Sequence, residues 1–214
     1  MKKVLLLCLT TMLAFTGGCG MSKEKDNGKV EQQSMPETEA FKDEFTREFM
    51  KSTEETEEGF YTFESKTRGY TMLFPINAII STMDYEQIKT AYEALSYSED
   101  VDDENISYFM TVIFENSSDT DDIQINLGIL SDVSGYEGDY KKYTSAEKTI
   151  YFGEKRNEED GYYSYIAYIK SDVSNKAVSL TYNSNCLDDG NSCELPGLSE
   201  KEKIKKIVDS INFE

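Results

Sequence analysis

Histidine and tryptophan are both absent from the 214 residues, and only three of the 22 basic side chains are arginines (Arg47, Arg68 and Arg156). Without histidine, Ser-His-Asp and Cys-His catalysis and imidazole metal ligation are unavailable. Basic charge is scarce as a whole: 22 Lys and Arg face 41 Asp and Glu, a net charge of -19 that repels nucleic acid and anionic headgroups over most of the surface. Nucleic acid is therefore not expected as a partner. The chain also lacks a G-x-S-x-G elbow, a P-loop, a C-x-x-C pair and an EF-hand loop, and no cofactor is implied. Its length suits one ordinary globular domain with extensions.

The first residues present supply an address. Met1-Lys2-Lys3 is followed by an apolar run from Val4 to Phe15 and by Thr16-Gly17-Gly18-Cys19-Gly20. A basic head, an apolar stretch too short to span a bilayer and a small-residue exit make an export signal over residues 1–18. The exit resembles the lipobox of bacterial lipoproteins, in which a Cys behind small residues is diacylated and becomes the mature N-terminus. That resemblance implies lipid on Cys19, although Thr16 departs from the Leu usual three residues before the Cys. A plain secretory signal with an incidental Cys is the alternative reading. Cys8 lies inside the apolar run and leaves with it. Removing residues 1–18 also removes Lys2 and Lys3 and no acid, leaving 20 basic groups against 41 acidic, a net -21. Two acyl chains are what stable anchoring requires, so the expected location is the extracytoplasmic face of the cell membrane, with the lipid bilayer as first partner. The dominance of Lys over Arg fits a low-GC, Gram-positive host.

Export places Cys186 and Cys193 where disulfides persist. They bracket the polar loop Leu187-Asp188-Asp189-Gly190-Asn191-Ser192, and a bridge between them closes a small ring. Two thiols without a second pair or a histidine lack the ligand count for zinc, so free thiols are the remaining alternative. Residues 19–40 are almost free of apolar side chains and read as a tether that reaches about 70 Å when taut. A single globular domain is expected over 41–214.

Within that domain, Phe41, Phe45 and Phe49 recur every fourth position and predict a short amphipathic helix. Phe60–Phe63 and Gly69–Pro75 read as a hairpin, Asp84 as the cap of a helix carrying Tyr85, Ile88, Tyr92 and Leu95, and Tyr108–Glu115 as a strand. Ile123, Ile125, Leu127 and Ile129 alternate and predict another strand over 123–130, behind a hairpin loop at 116–122. Thr149–Glu154, Tyr162–Lys170 and Ala177–Tyr182 form an antiparallel meander, and Ser199 to Glu202 is a capping box opening a helix striped by Ile204, Ile207, Val208 and Ile211. The expected class is α+β, an antiparallel sheet of about seven strands flanked by helices.

Gly69-Tyr70-Thr71-Met72-Leu73-Phe74-Pro75, the strand ending Ser179-Leu180-Thr181-Tyr182 and the terminal Ile204–Phe213 helix together resemble the PsbP-like fold over residues 59–213. The resemblance implies a sandwich used for binding and assembly, and it carries no catalytic residues. The chain is also similar to uncharacterised lipoproteins of low-GC Gram-positive bacteria and their prophages.

The expected function is that of a membrane-anchored protein-interaction module without enzymatic turnover, engaging an envelope or extracellular protein. A small-molecule or cell-wall ligand binder, with a minor carboxylate-based hydrolase branch, is the alternative. Candidate binding residues are Tyr162, Tyr163, Tyr165 and Tyr168, with Asp188 and Asp189 of the Cys186–Cys193 loop. Alternation sets Tyr163 and Tyr165 on one face and Tyr162 and Tyr168 on the other; a strand covered by helices on both sides is the competing reading. The acidic runs 100–104 and 119–122 lack preformed calcium-loop spacing, and no metal is expected.

Overall fold

The computed structural model describes residues 35–101, 105–157, 162–187 and 197–214. The chain enters through two single-turn helices, α1 (Glu39–Lys42) and α2 (Glu44–Arg47). Asp43 sits between them in extended conformation and its carboxylate accepts from the Thr46 amide at 2.7 Å, so the expected continuous helix is broken by its own cap. Phe41 and Phe49 are buried as the spacing requires. Ala40 is buried too, and its amide donates to the Ile76 carbonyl, so folded structure begins before residue 41.

Strands β1 (Phe60–Glu64) and β2 (Tyr70–Pro75) form the expected hairpin. Its turn puts Arg68 at φ 56° and brings Gly69 against the Phe114 ring, where a Cβ would lie 2.1 Å from Cζ. Then come β3 (Ile79–Ile80), β4 (Glu86–Ile88), β5 (Tyr92–Val101) and β6 (Ile106–Asn116). The helix expected from Asp84 is therefore a β-hairpin that turns at Lys89 with φ 52°. Residues of helical propensity are recruited by the long ladder between β5 and β6, and tertiary pairing overrides local preference.

The segment behind β6 is a second reversal. A 3-10 turn (Ser118–Asp121) leads into helix α3 (Ile123–Ser134) where a strand was expected. Asp122 caps it, accepting from the Ile125 amide at 3.2 Å, and Gly135 ends it in the left-handed region. Four further strands follow: β7 (Lys141–Ser145), absent from the sequence reading, then β8 (Lys148–Asn157), β9 (Tyr162–Ser171) and β10 (Lys176–Cys186), which match the meander. Helix α4 (Gly197–Ser210) and β11 (Asn212–Phe213) close the chain. α4 starts at Gly197, so Ser199 lies within its first turn and not at the cap.

The strands form two antiparallel sheets. The small one has the order β1-β2-β11; the large one has eight strands in the order β3-β5-β6-β10-β9-β8-β7, with β4 on β5. The domain is thus dominated by sheet, with four α-helices among the described residues, and more strand-rich than the α+β expectation of about seven strands.

One face of the large sheet presents Tyr97, Met110, Val112, Phe114, Leu180, Tyr182, Tyr165, Ala167, Ile150 and Phe152. It is covered by the small sheet, whose Tyr70 stacks on Phe114 at 5.4 Å, and by α4, which buries Ile204, Ile207, Val208 and Ile211 completely. Ser210 of α4 accepts from the Leu73 amide at 2.8 Å, and buried Lys148 donates to the carbonyls of Asp209 and Ile211, satisfying the helix end. The opposite face is covered over β8, β9 and β10 by α3, through Leu130, Ile123 and Leu127 on Ile166, Tyr168, Tyr151 and Ala177.

Candidate functional site

The alternation read for the tyrosines holds, but both faces are covered. Tyr165 packs on Phe152 and Tyr182 under α4, and Tyr168 packs under α3 with its hydroxyl donating to the Thr120 carbonyl at 2.9 Å. Both are 0% exposed, so neither offers a surface to a partner; this corrects their place among the candidate binding residues. Burial pushes both phenols above their ordinary pKa, helped by Glu154 at Tyr165 and Glu115 at Tyr168. Tyr162 and Tyr163 are half-buried, each beside a cation, Lys155 and Arg156 respectively. Asp188, Asp189 and Cys193 lie outside the described residues, as does Cys19; Cys186 ends β10. In the 119–122 run, Asp121 pairs with Lys170 at 3.1 Å and Asp122 caps α3. Among the described residues no His, Cys, Asp and Glu side chains group as a metal site.

Two surfaces stand out instead. The first is the outward face of α3, where Ile125, Ile129 and Val133 are 58%, 57% and 74% exposed. Spaced four apart, they form one continuous apolar stripe, with Gly128 beside it unobstructed. A helix that buries Leu130 on one side and exposes three β-branched residues on another carries two apolar stripes, where a surface helix in water ordinarily carries one. Asp119, Asp121 and Asp122 crowd its N-terminal end and Asp132 lies alongside the stripe. The alternation of Ile123, Ile125, Leu127 and Ile129 is these two stripes superposed; the caps Asp122 and Gly135 were the signal for a helix.

The second is a cleft of about 450 Å³ where β7 stops pairing with β8 and α4 passes alongside. Lys141 and Tyr143 of β7, Phe152, Glu154 and Arg156 of β8, and Lys201 and Lys205 of α4 line it, with Tyr136 and Asp139 at its edge. Glu154 is its electrostatic hub: it pairs with Arg156 at 2.7 Å and with Lys201. Burial alone would raise its carboxyl, but hydrogen bonds from Lys201 and Arg156 outweigh that and hold it below the ordinary 4.5. Lys205 lies over the Tyr143 ring at 5.3 Å, and the Tyr143 hydroxyl donates to Asp209 at 2.9 Å. Nothing in the sequence pattern joins these residues, because β7 itself was not visible there.

What the fold defines is a sheet-dominated domain, one face of its large sheet sealed by the small sheet and α4 and the other covered in part by a helix that exposes an apolar stripe. Its family is specific: residues 36–212 match the family described as "Putative lipoprotein YvcA", and the chain belongs to it. The Bacillus subtilis (strain 168) protein of that description is 30% identical over 239 aligned residues, spanning 100% of this chain and 97% of that protein. Among the described residues no helix is long and apolar enough to cross a membrane.

Proposed function

We propose that this protein is a lipoprotein anchored through Cys19 on the extracytoplasmic face of the cell membrane, and that its domain docks a partner protein on the exposed stripe of α3 without turnover of its own. The stripe carries this reading: Ile125, Ile129 and Val133 leave a contiguous apolar surface on a helix whose other side is already buried. The occupant fits as an amphipathic helix with an apolar stripe and a basic rim. Asp119, Asp121, Asp122 and Asp132 around the stripe supply the complement, and a net charge of -19 disfavours a second copy of this chain. The lipoprotein description of the family and the lipobox-like sequence support the anchor. The hairpin of β1 and β2 and the closing helix α4, which ends at Ser210 ahead of β11 and not at Phe213, are the elements that carry the PsbP-like resemblance, and their presence supports that reading. Glu154, a carboxyl held ionised by two cations, is unsuited to the general-acid role that a carboxylate-based hydrolase needs.

A photo-reactive residue placed at Val133 in the full chain tests the docking face. The expected result is a cross-link to one defined protein, weakening as salt rises and lost with Ile129→Glu. A cross-link only to a second copy, or one that Ile129→Glu leaves intact, overturns it. The bridge between Cys186 and Cys193 belongs to the same proposal, and a ring of this size contributes about 2.5 kcal/mol. Alkylation of both thiols in the unreduced protein would remove it.

A further inference from the structure

The cleft between β7, β8 and α4 opens at the β7 edge of the large sheet and shares no residue with the docking stripe of α3. Its charge is inverted relative to the molecule. Lys141, Arg156, Lys201 and Lys205 line it with only two acids, Asp139 and Glu154, leaving +2 in a chain whose formal charge is -19. Glu154 takes up Arg156 and Lys201 through its two ion pairs. Among the described residues Lys205 makes only a ring contact with Tyr143, and the ammonium of Lys141, an exposed residue, has no ion pair or hydrogen bond. Every other described lysine of α4 is paired with an acid: Lys203 with Glu99 at 2.9 Å and Lys206 with Glu57 at 2.7 Å. An acidic chain with nearly twice as many acids as bases leaves two lysines unpaired in one concavity, and beneath them lie the rings of Phe152 and Tyr143.

We propose that this cleft binds a small phosphomonoester, its phosphate held between Lys141 and Lys205 with Arg156 at the rim, and its organic part laid on Phe152 and Tyr143. The charges match: a phosphomonoester carries about -1.5 to -2 at neutral pH, which neutralises the excess in the cleft. Three phosphate oxygens accept from two ammoniums and a guanidinium, and charge-assisted hydrogen bonds of this kind are the strong ones. A volume of about 450 Å³ suits a ligand of sugar-phosphate or glycerol-phosphate size. Such a group comes either as a free ester or as the headgroup of an anionic lipid beside the anchor.

The test is calorimetric titration of the full chain in neutral detergent with glycerol 3-phosphate, using glycerol as the uncharged control. Binding of the phosphate ester but not of glycerol is expected, weakened by at least about tenfold in Lys141→Glu/Lys205→Glu and falling as salt rises. The exposed pair Lys42→Glu/Lys89→Glu makes the same change in net charge away from the cleft and should leave binding unchanged, with circular dichroism confirming that both variants fold. Repeating the titration in phosphatidylcholine vesicles with and without phosphatidic acid separates the sources. Loss of binding in the phosphatidic acid vesicles assigns the cleft to a headgroup, and persistence assigns it to a soluble ester. No binding of glycerol 3-phosphate together with no dependence of vesicle binding on phosphatidic acid overturns the inference, as does binding that the cleft variant leaves unchanged. Neither result bears on the stripe of α3.

Discussion

The two faces of the large sheet are made of similar residues and treated in opposite ways. On the face under the small sheet and α4, thirty buried apolar residues form one cluster, laced by ring contacts such as Phe49 on Phe63 at 5.2 Å and Phe74 on Tyr97 at 4.8 Å. On the face under α3, five do, and the helix that covers them is itself exposed on its far side. Burial of apolar area is what stabilises a fold, so the first face carries most of the stability. The second leaves apolar side chains where water meets them, the feature on which the proposed docking face rests. Glu93 is buried on the first face, where one of its oxygens takes the Lys66 amide at 2.9 Å and the Tyr85 hydroxyl at 3.0 Å, while polar Ser98, Asn183 and the half-exposed Phe109 line the second face beyond α3.

The sharpest way to break this comparison is to cut into each face in turn. Phe114→Ala, beneath Tyr70 and against Gly69, should cost about 3–5 kcal/mol in denaturant unfolding, since the small sheet cannot collapse into the space. Leu130→Ala under α3 should cost less, about 2–3 kcal/mol, because a cluster of five residues at the rim relaxes more easily than the centre of the larger one. Equal costs would mean that the faces share the load.

Two charged contacts on the first face rank next. Lys148→Met removes the ammonium that donates to the last carbonyls of α4 and leaves them buried, at about 2 kcal/mol in the same measurement. Glu154→Gln should cost about 1 kcal/mol at neutral pH, because the pair with Lys201 ties α4 to β8 and the pair with Arg156 braces the carboxylate from within β8. The sign with pH follows from a folded-state carboxyl below 4.5. The native state releases that proton more readily than the unfolded chain, so the contribution is full above about pH 4.5 and disappears as pH falls through the folded value. Unfolding curves of parent and variant should therefore differ at neutral pH and converge in acid.

The same division governs what the sequence makes legible. The hairpin of β1 and β2, the meander β8–β9–β10 and the stripe of α4 all bury one face against a deep core, so their periodicity reports their structure directly, whereas that of Phe41 and Phe49 reports their burial but not the break at Asp43. α3 has two apolar stripes, and two stripes on a helix mimic alternation along a strand; only Asp122 and Gly135 at its ends distinguish them. β4 and β5 carry residues of helical propensity, and it is the partner strand β6, distant from any local signal, that decides. Tyr165 and Tyr168 were legible as an alternating pair but not as buried, because the covers over both faces come from elsewhere in the chain. The cleft was illegible for the same reason: its lysines come from β7 and from α4, about sixty residues apart in sequence.

The smallest effect on stability is expected where the largest effect on function is. Ile125 and Ile129 have more than half their surface in water, so Ile125→Ser/Ile129→Ser removes little buried area, and unfolding should shift by less than about 0.5 kcal/mol per site. Serine is a weaker helix former than leucine but close to isoleucine, so the helix itself, held by its Asp122 cap and by Leu130 beneath, keeps its place. If the stripe were part of the core cover, the same pair would instead cost as much as Leu130→Ala. The measurement is therefore a paired one, denaturant unfolding alongside cross-linking from Val133. Preserved stability with loss of the cross-link separates a face that holds the domain together from a face that holds something else.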